Sequence, residues 1–252
     1  MKRFFYFGML ITGMLLSCKS QHVELTQIEG QQLIIHDSIA SNESLEEFIE
    51  PYRDHVSKEM NRVLSFAPYS MDKSQGELNT AIGNMMADAV MELAGPILES
   101  RTGEHLDVVL LNHGGIRSAI SQGDITVGTA FQVMPFENEV VVAALTADGV
   151  RQLVDYLVEE RVAHPIAGMQ ITIDEKKQEV EVLVDNKPLE EGRIYYVATN
   201  DYLFEGGDRM DFFNSSSQEI VLDYKIRNLL IDYFEQQDSI APEIDNRFIM
   251  HP

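Results

Sequence analysis

From residue 106 onward the chain alternates between short apolar runs and amphipathic runs, and this alternation limits its fold more than any other feature. Apolar runs of this length are typical of buried strands, and they predict strands over residues 106–112, 139–145 and 194–199. A helix is predicted to follow the second strand over 146–160, with Thr146 as its N-cap. Residues 169–185 alternate at period two around a polar centre, which predicts a hairpin. Because a hairpin is antiparallel, the predicted fold class is α/β with mixed sheets.

The first half of the chain is predicted to be mainly helical. Apolar residues recur at helical spacing over 43–63, with Ser41 or Asn42 as the cap and a kink or restart at Pro51. A second helix is predicted over 79–92, interrupted by the Gly95-Pro96 pair. At the other end of the chain, residues 219–237 are predicted to form a closing amphipathic helix.

The first residues resemble an export signal. Lys2 and Arg3 precede a short apolar run, and the segment ends in Leu-Leu-Ser-Cys, which resembles the lipobox of bacterial lipoproteins. Residues 1–17 are therefore expected to be a signal peptide, and Cys18 is the expected site of lipidation. The alternative is an ordinary unpaired cysteine near a signal. Residues 18–42 are predicted to be a tether, with an edge strand as the alternative for part of it, and the chain is expected in the bacterial cell envelope, anchored to a membrane by lipid.

The net charge argues against nucleic-acid binding, and the cysteine content excludes an internal disulfide. The formal net charge is −22 at pH 7, and a surface this acidic repels nucleic acid. A small phosphorylated ligand is still allowed, since a few local cations and backbone N–H groups can outweigh a distant field. The single cysteine permits no internal disulfide, so packing must hold the fold.

Three loops at predicted strand ends carry the residues suited to ligand binding. The first, "NHGGIRSAISQGDI", combines Asn112, Gly114, Gly115 and Arg117. The second, "VMPFENE", places Phe136 before a strand, and the third, "TNDYLFEGGDRMDFF", contains Tyr202, Gly207 and Asp208. Each loop alone is also explained by a tight turn, a lid over the core or a helix cap. Together they offer an amide, a cation, an acid and two aromatic rings at strand ends, where α/β folds bind ligands.

These motifs resemble a known family. The segments "GELNTAIGNMMADAV", "LNHGGIRSAISQGDIT", "VMPFENEVVVAALTADGVRQLVDY" and "YYVATNDYLFEGGDRM" are similar to the C-terminal domain of the 5′-nucleotidase family, in the same order, over roughly residues 75–235. The resemblance implies a four-layer α/β/β/α domain over 75–252, preceded by a linker helix segment over 43–74. It also implies a nucleotide or nucleoside as ligand.

The resemblance assigns a role to each loop. It implies that Phe136 and Tyr202 sandwich the base, and that Asp208 binds the ribose hydroxyls. Asn112 and Arg117 would contact base, ribose or phosphate. Aromatic faces and a carboxylate suit a base and a vicinal diol respectively.

Two departures from the family limit the expected activity. Some members carry another substrate arginine near the start of the opening helix, where this chain has Leu78, so contact with phosphate is in doubt. Full-length members hydrolyse phosphate esters in an N-terminal domain with two metal ions, and no Asp-x-His, Gly-Asn-His or Gly-His-x-His motif for that chemistry occurs here. No cofactor and no catalytic residue are therefore expected in this chain.

Three functions remain open. The chain could recognise substrate for a separate metallophosphoesterase chain that carries the divalent metals, so that both act in nucleotide catabolism. It could bind nucleosides at a membrane without hydrolysis. It could also have reused the fold as a cell-envelope interaction module.

Overall fold

The structure is a computed structural model that describes residues 27–36 and 39–251. The predicted signal peptide and Cys18 lie outside these residues. Contacts divide the chain between Phe48 and Ile49, and the two parts are described separately. In the first part, residues 27–36 contain no strand, so the edge-strand alternative is wrong for them. Of the two candidate caps for the helix that begins at Glu43, the structure uses Asn42, whose Oδ1 accepts hydrogen bonds from the backbone N–H groups of Ser44 and Leu45.

The helices and strands of the described residues are named here in chain order. The helices are α1 (Glu43–Met60), α2 (Ala81–Thr102), α3 (Val127–Val133), α4 (Ala147–Glu160), α5 (Asp201–Phe204) and α6 (Ile226–Glu235). The strands are β1 (Val63–Ala67), β2 (Val108–Leu110), β3 (Gly123–Thr126), β4 (Glu139–Thr146), β5 (Ile166–Ala167), β6 (Met169–Asp174), β7 (Glu179–Val184), β8 (Lys187–Pro188), β9 (Ile194–Asn200), β10 (Glu219–Lys225) and β11 (Phe248–His251).

A five-stranded sheet in the order β10-β4-β9-β2-β5 forms the centre of the second part. Strands β2 and β9 are parallel, and their other neighbours in the sheet are antiparallel. Successive side chains of a strand point to opposite faces. Accordingly Val109 packs in one core cluster with helices α2 and α6, whereas Val108 and Leu110 pack in another with α4.

The second core cluster also includes the four-stranded sheet, in which β11-β6-β7-β8 are neighbours. Its β6–β7 pair is the predicted hairpin, with Met169 opposite Val184. Helices and mixed sheets therefore pack together around two apolar cores. The predicted α/β class with mixed sheets is confirmed.

Most predicted elements are confirmed, and residues 219–225 are the main error. They were expected to be helical but form β10, which pairs with β4. Ile220, Leu222 and Tyr224 repeat at period two, and this strand signal is obscured because α6 follows without a break.

The expected interruption of the second helix is wrong, because α2 continues through Gly95 and Pro96. Helix α1 also continues through Pro51, so the predicted restart does not occur there, and the alternative of a kink stays a prediction. In α2 the buried Ala94 and Leu98 flank the proline, so core packing on both sides offsets the lost backbone hydrogen bond. Among the described helices, none is both long and apolar enough to cross a membrane.

Candidate functional site

The three candidate loops meet at one edge of the five-stranded sheet. The parallel strands β2 and β9 both end there, and the antiparallel strand β4 begins there, with Val140 opposite Asn200. The loop after β2 carries Asn112 and Arg117, the loop before β4 carries Phe136, and the turn after β9 carries Tyr202. Strand direction alone thus brings together side chains that are far apart in sequence.

Asn112 is held in place by a buried amide. Asn200 is 1% exposed, and its Nδ2 donates to Asn112 Oδ1 at 3.2 Å while its own Oδ1 accepts from the backbone N–H of Leu203. One side chain therefore caps α5 and orients Asn112. Asn200 is not among the residues predicted from the sequence, although an amide at a helix N-cap position is a recognisable signal.

The two glycines after His113 have different roles. A Cβ at Gly115 would lie 2.9 Å from Asn112 Oδ1, so a side chain there would displace the amide. A Cβ at Gly114 would meet Asn112 Nδ2 only at 3.5 Å, an ordinary contact. Gly115 is therefore required for packing, whereas Gly114 lines the cavity described below.

Arg117 and Phe136 face each other across the edge of the sheet. The Arg117 guanidinium carbon lies 5.8 Å from the centre of the Phe136 ring, within the range of a cation–π contact. Its Nη1 makes one long hydrogen bond, 3.4 Å, to the carbonyl of Gly114. Phe136 is 41% exposed. Both groups thus remain largely available to a ligand.

Tyr202 and Asp208 form a hydrogen-bonded pair. The tyrosine hydroxyl donates to Asp208 Oδ1 at 2.9 Å and accepts from the Asp208 backbone N–H at 3.3 Å. This hydrogen bond to the carboxylate is the main reason that the pKa of Tyr202 is raised. Tyr202 is 46% exposed and Asp208 is exposed too, so the pair lies at the surface.

The turn that carries Asp208 has an unusual backbone. Gly206 has a φ of 90°, and the next non-glycine residues, Asp208 and Arg209, have φ values of 52° and 63°. A Cβ at Gly207 would lie 2.5 Å from the Tyr202 carbonyl oxygen and 2.6 Å from its ring. Gly206 supplies the left-handed conformation, and Gly207 allows the ring of Tyr202 to lie against the turn.

One cavity of about 340 Å³ joins most of the predicted residues. Its lining consists of Asn112, Gly114, Arg117, Phe136, Asn138, Tyr202 and Asp208. The predicted Gly115 and Gly207 do not line it and act through packing instead. Asn138 was missed by the sequence analysis. Its Nδ2 donates to Asp201 Oδ1 at 2.8 Å, which links the loop of Phe136 to the helix of Tyr202.

A neighbouring cavity of about 560 Å³ shares Gly114, Tyr202 and Asp208 with the first. His113 and His164 line it, and burial lowers the pKa of His164. His113 Nδ1 lies 3.0 Å from the carbonyl oxygen of Ala163 and must donate to it. The hydroxyl of Tyr156 donates to the Asp208 carbonyl at 2.9 Å and supports the strained turn from this side.

A further cavity, of about 380 Å³, lies beside Arg247, whose guanidinium is occupied by hydrogen bonds within the protein. Arg247 binds both carboxylate oxygens of Asp88 at 2.8 and 3.0 Å, the carboxylate of Asp245 at 2.8 Å and the carbonyl of Ile166 at 2.7 Å. Arg247 is thus fully engaged by Asp88, Asp245 and a carbonyl, so the cavity at the sheet edge is the better candidate site.

The structure also locates the two departures from the family pattern. Leu78, near the position of the additional arginine, is buried in the second core cluster and cannot contact phosphate. Within residues 27–36 and 39–251, no group of three or more His, Cys, Asp or Glu side chains is placed to hold a metal ion.

The sequence matches the family model for the 5′-nucleotidase C-terminal domain over residues 60–215. It is similar to the trifunctional nucleotide phosphoesterase protein YfkN of Bacillus subtilis, with 23% identity over 85% of this chain and 16% of that protein. It is also similar to the 5′-nucleotidase of Vibrio parahaemolyticus, with 22% identity over 84% of this chain and 37% of that protein.

Solved structures show the same fold. A 5′-nucleotidase precursor from Thermus thermophilus superposes with a TM-score of 0.67 at 21% identity, over 81% of this chain and 42% of that one. The NAD nucleotidase of Haemophilus influenzae superposes with a TM-score of 0.63 at 15% identity, over 84% of this chain and 42% of that one. The chain therefore spans less than half the length of these relatives.

Proposed function

The chain belongs to the 5′-nucleotidase C-terminal domain family, and on that premise we propose that it recognises the nucleotide or nucleoside substrate of a 5′-nucleotidase-type hydrolase. The observation that carries the proposal is the cavity at the sheet edge. It combines two half-exposed aromatic rings, Phe136 and Tyr202, with the carboxylate of Asp208 and the guanidinium of Arg117.

Each group suits one part of a nucleoside. The rings of Phe136 and Tyr202 offer flat apolar faces to a base, and stacking on aromatic side chains does not depend on which base is bound. The carboxylate of Asp208 is an acceptor that suits a vicinal diol. Arg117 is the cation of the cavity lining and suits a phosphate, although with Leu78 buried it lacks the help of the additional family arginine.

We also propose that hydrolysis is carried out together with a separate metallophosphoesterase chain. The support is that this chain covers 37% of the length of the Vibrio nucleotidase and 42% of the Thermus one. Metal-assisted phosphate ester hydrolysis needs clustered ligands for its ions, and these would come from the partner. No divalent metal is assigned to the cavity itself.

Calorimetry with AMP, adenosine and ribose 5-phosphate tests recognition. We expect saturable binding of all three ligands, weakest for ribose 5-phosphate, and a loss of about tenfold or more in the affinity for AMP and adenosine in Phe136→Ala. Phe66→Ala is the matched control, because Phe66 is 44% exposed and does not line the cavity. Unchanged affinity in Phe136→Ala, or no heat with any of the three ligands, would exclude the proposal.

An activity assay tests the second chain. The purified protein should release no phosphate from AMP with Mn²⁺ or Co²⁺, and should do so after a candidate metallophosphoesterase is added. Activity of the pure chain that survives further purification would contradict the proposed division of labour. AMP binding without hydrolysis in any mixture would favour the alternative, a non-catalytic nucleoside-binding protein.

Attachment to the cell envelope through Cys18 is a further part of the proposal. Its support is the Leu-Leu-Ser-Cys sequence after a basic and then apolar start. In bacteria the mature protein should begin at Cys18, carry acyl chains detectable by mass spectrometry and partition into detergent. Cys18→Ala should abolish both the acylation and the partitioning.

A further inference from the structure

An arginine outside the cavity holds the loop that carries Phe136. Arg227 lies in the first turn of α6 and is 6% exposed. Its Nη1 donates to the carbonyl oxygens of Pro135 and Phe136, both at 3.3 Å, and its Nη2 pairs with the carboxylate of Glu137. One guanidinium therefore binds three consecutive residues.

Besides Arg227, the loop has three side-chain contacts: Phe136 with Arg117, Glu137 with Lys225 and Asn138 with Asp201. Pro135, Phe136 and Glu137 are all exposed and lie between α3 and β4 without regular structure. After them, the carbonyl of Asn138 accepts a hydrogen bond from the backbone N–H of Ile226 at 3.0 Å. The start of α6 thus fixes both the loop and its exit into β4.

Arg227 is itself fixed against α3. Its guanidinium lies over the ring of Phe131 with 4.1 Å between the guanidinium carbon and the ring centre. The planar fork of arginine can stack on a ring while its five N–H donors bind acceptors in the plane, whereas the ammonium of lysine is a compact charge with three donors and no flat face. Among the described residues its buried Nε has no hydrogen-bond acceptor.

We infer that Arg227 is a positioning residue for base recognition, which orders the loop over residues 134–138 and so presents the ring of Phe136 in a fixed place for stacking. This inference rests on the proposed function. A ring ordered before binding loses less conformational entropy when the base arrives, so the effect should appear as affinity for the base-containing part of a ligand.

The variant Arg227→Lys tests this, because it keeps the charge opposite Glu137 but removes the fork. We expect adenosine to bind about three- to tenfold more weakly, and ribose 5-phosphate to bind unchanged. Lys225→Ala is the matched control, since Lys225 also pairs with Glu137 but contacts neither carbonyl. An equal loss for both ligands, or an equal loss in the control, would overturn the inference.

A double-mutant cycle separates positioning from general damage. If Arg227 acts through Phe136, then Arg227→Lys should have no further effect on adenosine affinity in a Phe136→Ala background. Glu137→Gln keeps both carbonyl hydrogen bonds and should weaken adenosine binding less than Arg227→Lys does. The same loss in the Phe136→Ala background, or a larger loss in Glu137→Gln, would contradict the assignment.

Limited proteolysis reports on the loop without any ligand. Chymotrypsin should cleave after Phe136 several times faster in Arg227→Lys than in the unchanged protein or in Lys225→Ala, with circular dichroism confirming that all three are folded. Unchanged cleavage would overturn the inference. Absence of nucleoside binding by the unchanged protein would instead overturn the proposed function, and cleavage would still show whether Arg227 orders the loop.

Discussion

The cavity at the sheet edge and the cavity beside Arg247 have similar volumes, about 340 and 380 Å³, but opposite chemistry. In the second cavity the guanidinium of Arg247 donates its hydrogen bonds to Asp88, Asp245 and a carbonyl. At the sheet edge, Arg117 makes one long side-chain hydrogen bond and Phe136 keeps an exposed face. The proposed binding site therefore differs from the cavity beside Arg247 in its available hydrogen-bonding groups and exposed ring, and not in its volume.

Loss of the Arg247 side chain should have a large effect on stability and none on binding. Arg247→Met removes hydrogen bonds to two carboxylates and a carbonyl, and should lower the free energy of unfolding by about 3 kcal/mol, a value already reduced because Asp88 and Asp245 are nearly half exposed. Adenosine affinity should not change. Denaturant unfolding and calorimetry measure the two quantities.

Arg151→Met is the control for that variant. Arg151 also contacts two carboxylates, those of Asp148 and Glu191, but on the open surface, where ion pairs contribute little. An equal loss of stability in both variants would show that burial of Arg247 is unimportant and would remove the contrast between the two cavities.

A substitution at Gly207 tests whether the turn holds the ring of Tyr202 in place at the sheet-edge cavity. The Cβ of Gly207→Ala would clash with the carbonyl and ring of Tyr202, and should cost about 2 kcal/mol of stability. Gly114→Ala places its Cβ in an ordinary contact and should be close to neutral in thermal unfolding. Equal midpoints for the two variants would mean that Tyr202 is not held by the turn.

Asp208→Asn tests the exposed carboxylate that lines the sheet-edge cavity. We expect adenosine to bind about tenfold more weakly, because a charged acceptor for the diol is lost, while 2′,3′-dideoxyadenosine binds as before. Asp223→Asn is the control, since Asp223 is also an exposed aspartate with positive φ, 51°. Equal losses for the two ligands would assign Asp208 to the turn and not to the sugar.

The smallest expected effect concerns pH. The side chains of Arg227 and Lys225 lower the pKa of Glu137 from 4.5 to about 2. A lowered carboxyl pKa stabilises the fold above the unfolded pKa, and this contribution is lost as the pH falls toward the folded one. The melting temperature of Glu137→Gln should therefore lie slightly below that of the unchanged protein at pH 7 and converge with it between about pH 5 and pH 2. A gap that widens on acidification would show the opposite linkage.

The sequence predicted the cavity lining better than the supports behind it. Asn112, Arg117, Phe136, Tyr202 and Asp208 carry recognisable chemistry next to apolar strands, and strand direction then brings them together. Their supports contact them only across the fold: Asn200 lies on another strand and Arg227 on a distant helix. No local pattern identifies such a contact, because it depends on tertiary packing.

The errors in the fold have a similar origin. Residues 219–225 and the following helix are both amphipathic, so the change of period at Lys225 is hard to locate in one sequence. Helix α2 runs through Pro96 because apolar residues on both sides of the proline pack into the core. A rule based on proline alone does not take this packing into account. Local sequence patterns predicted the helices and strands correctly except where strand pairing or core packing overrode the local preference.

The convergence of β2, β4 and β9 at one edge also has a consequence for how the protein folds. The walls of the cavity come from segments far apart in sequence, and none of them faces another until the three strands have paired. Such non-local pairing is slow to form, and a chain in which the three strands have not paired has no assembled cavity for a ligand. A nucleoside that binds only the finished sheet would slow unfolding without guiding assembly, and would protect the mature protein more than the newly made one.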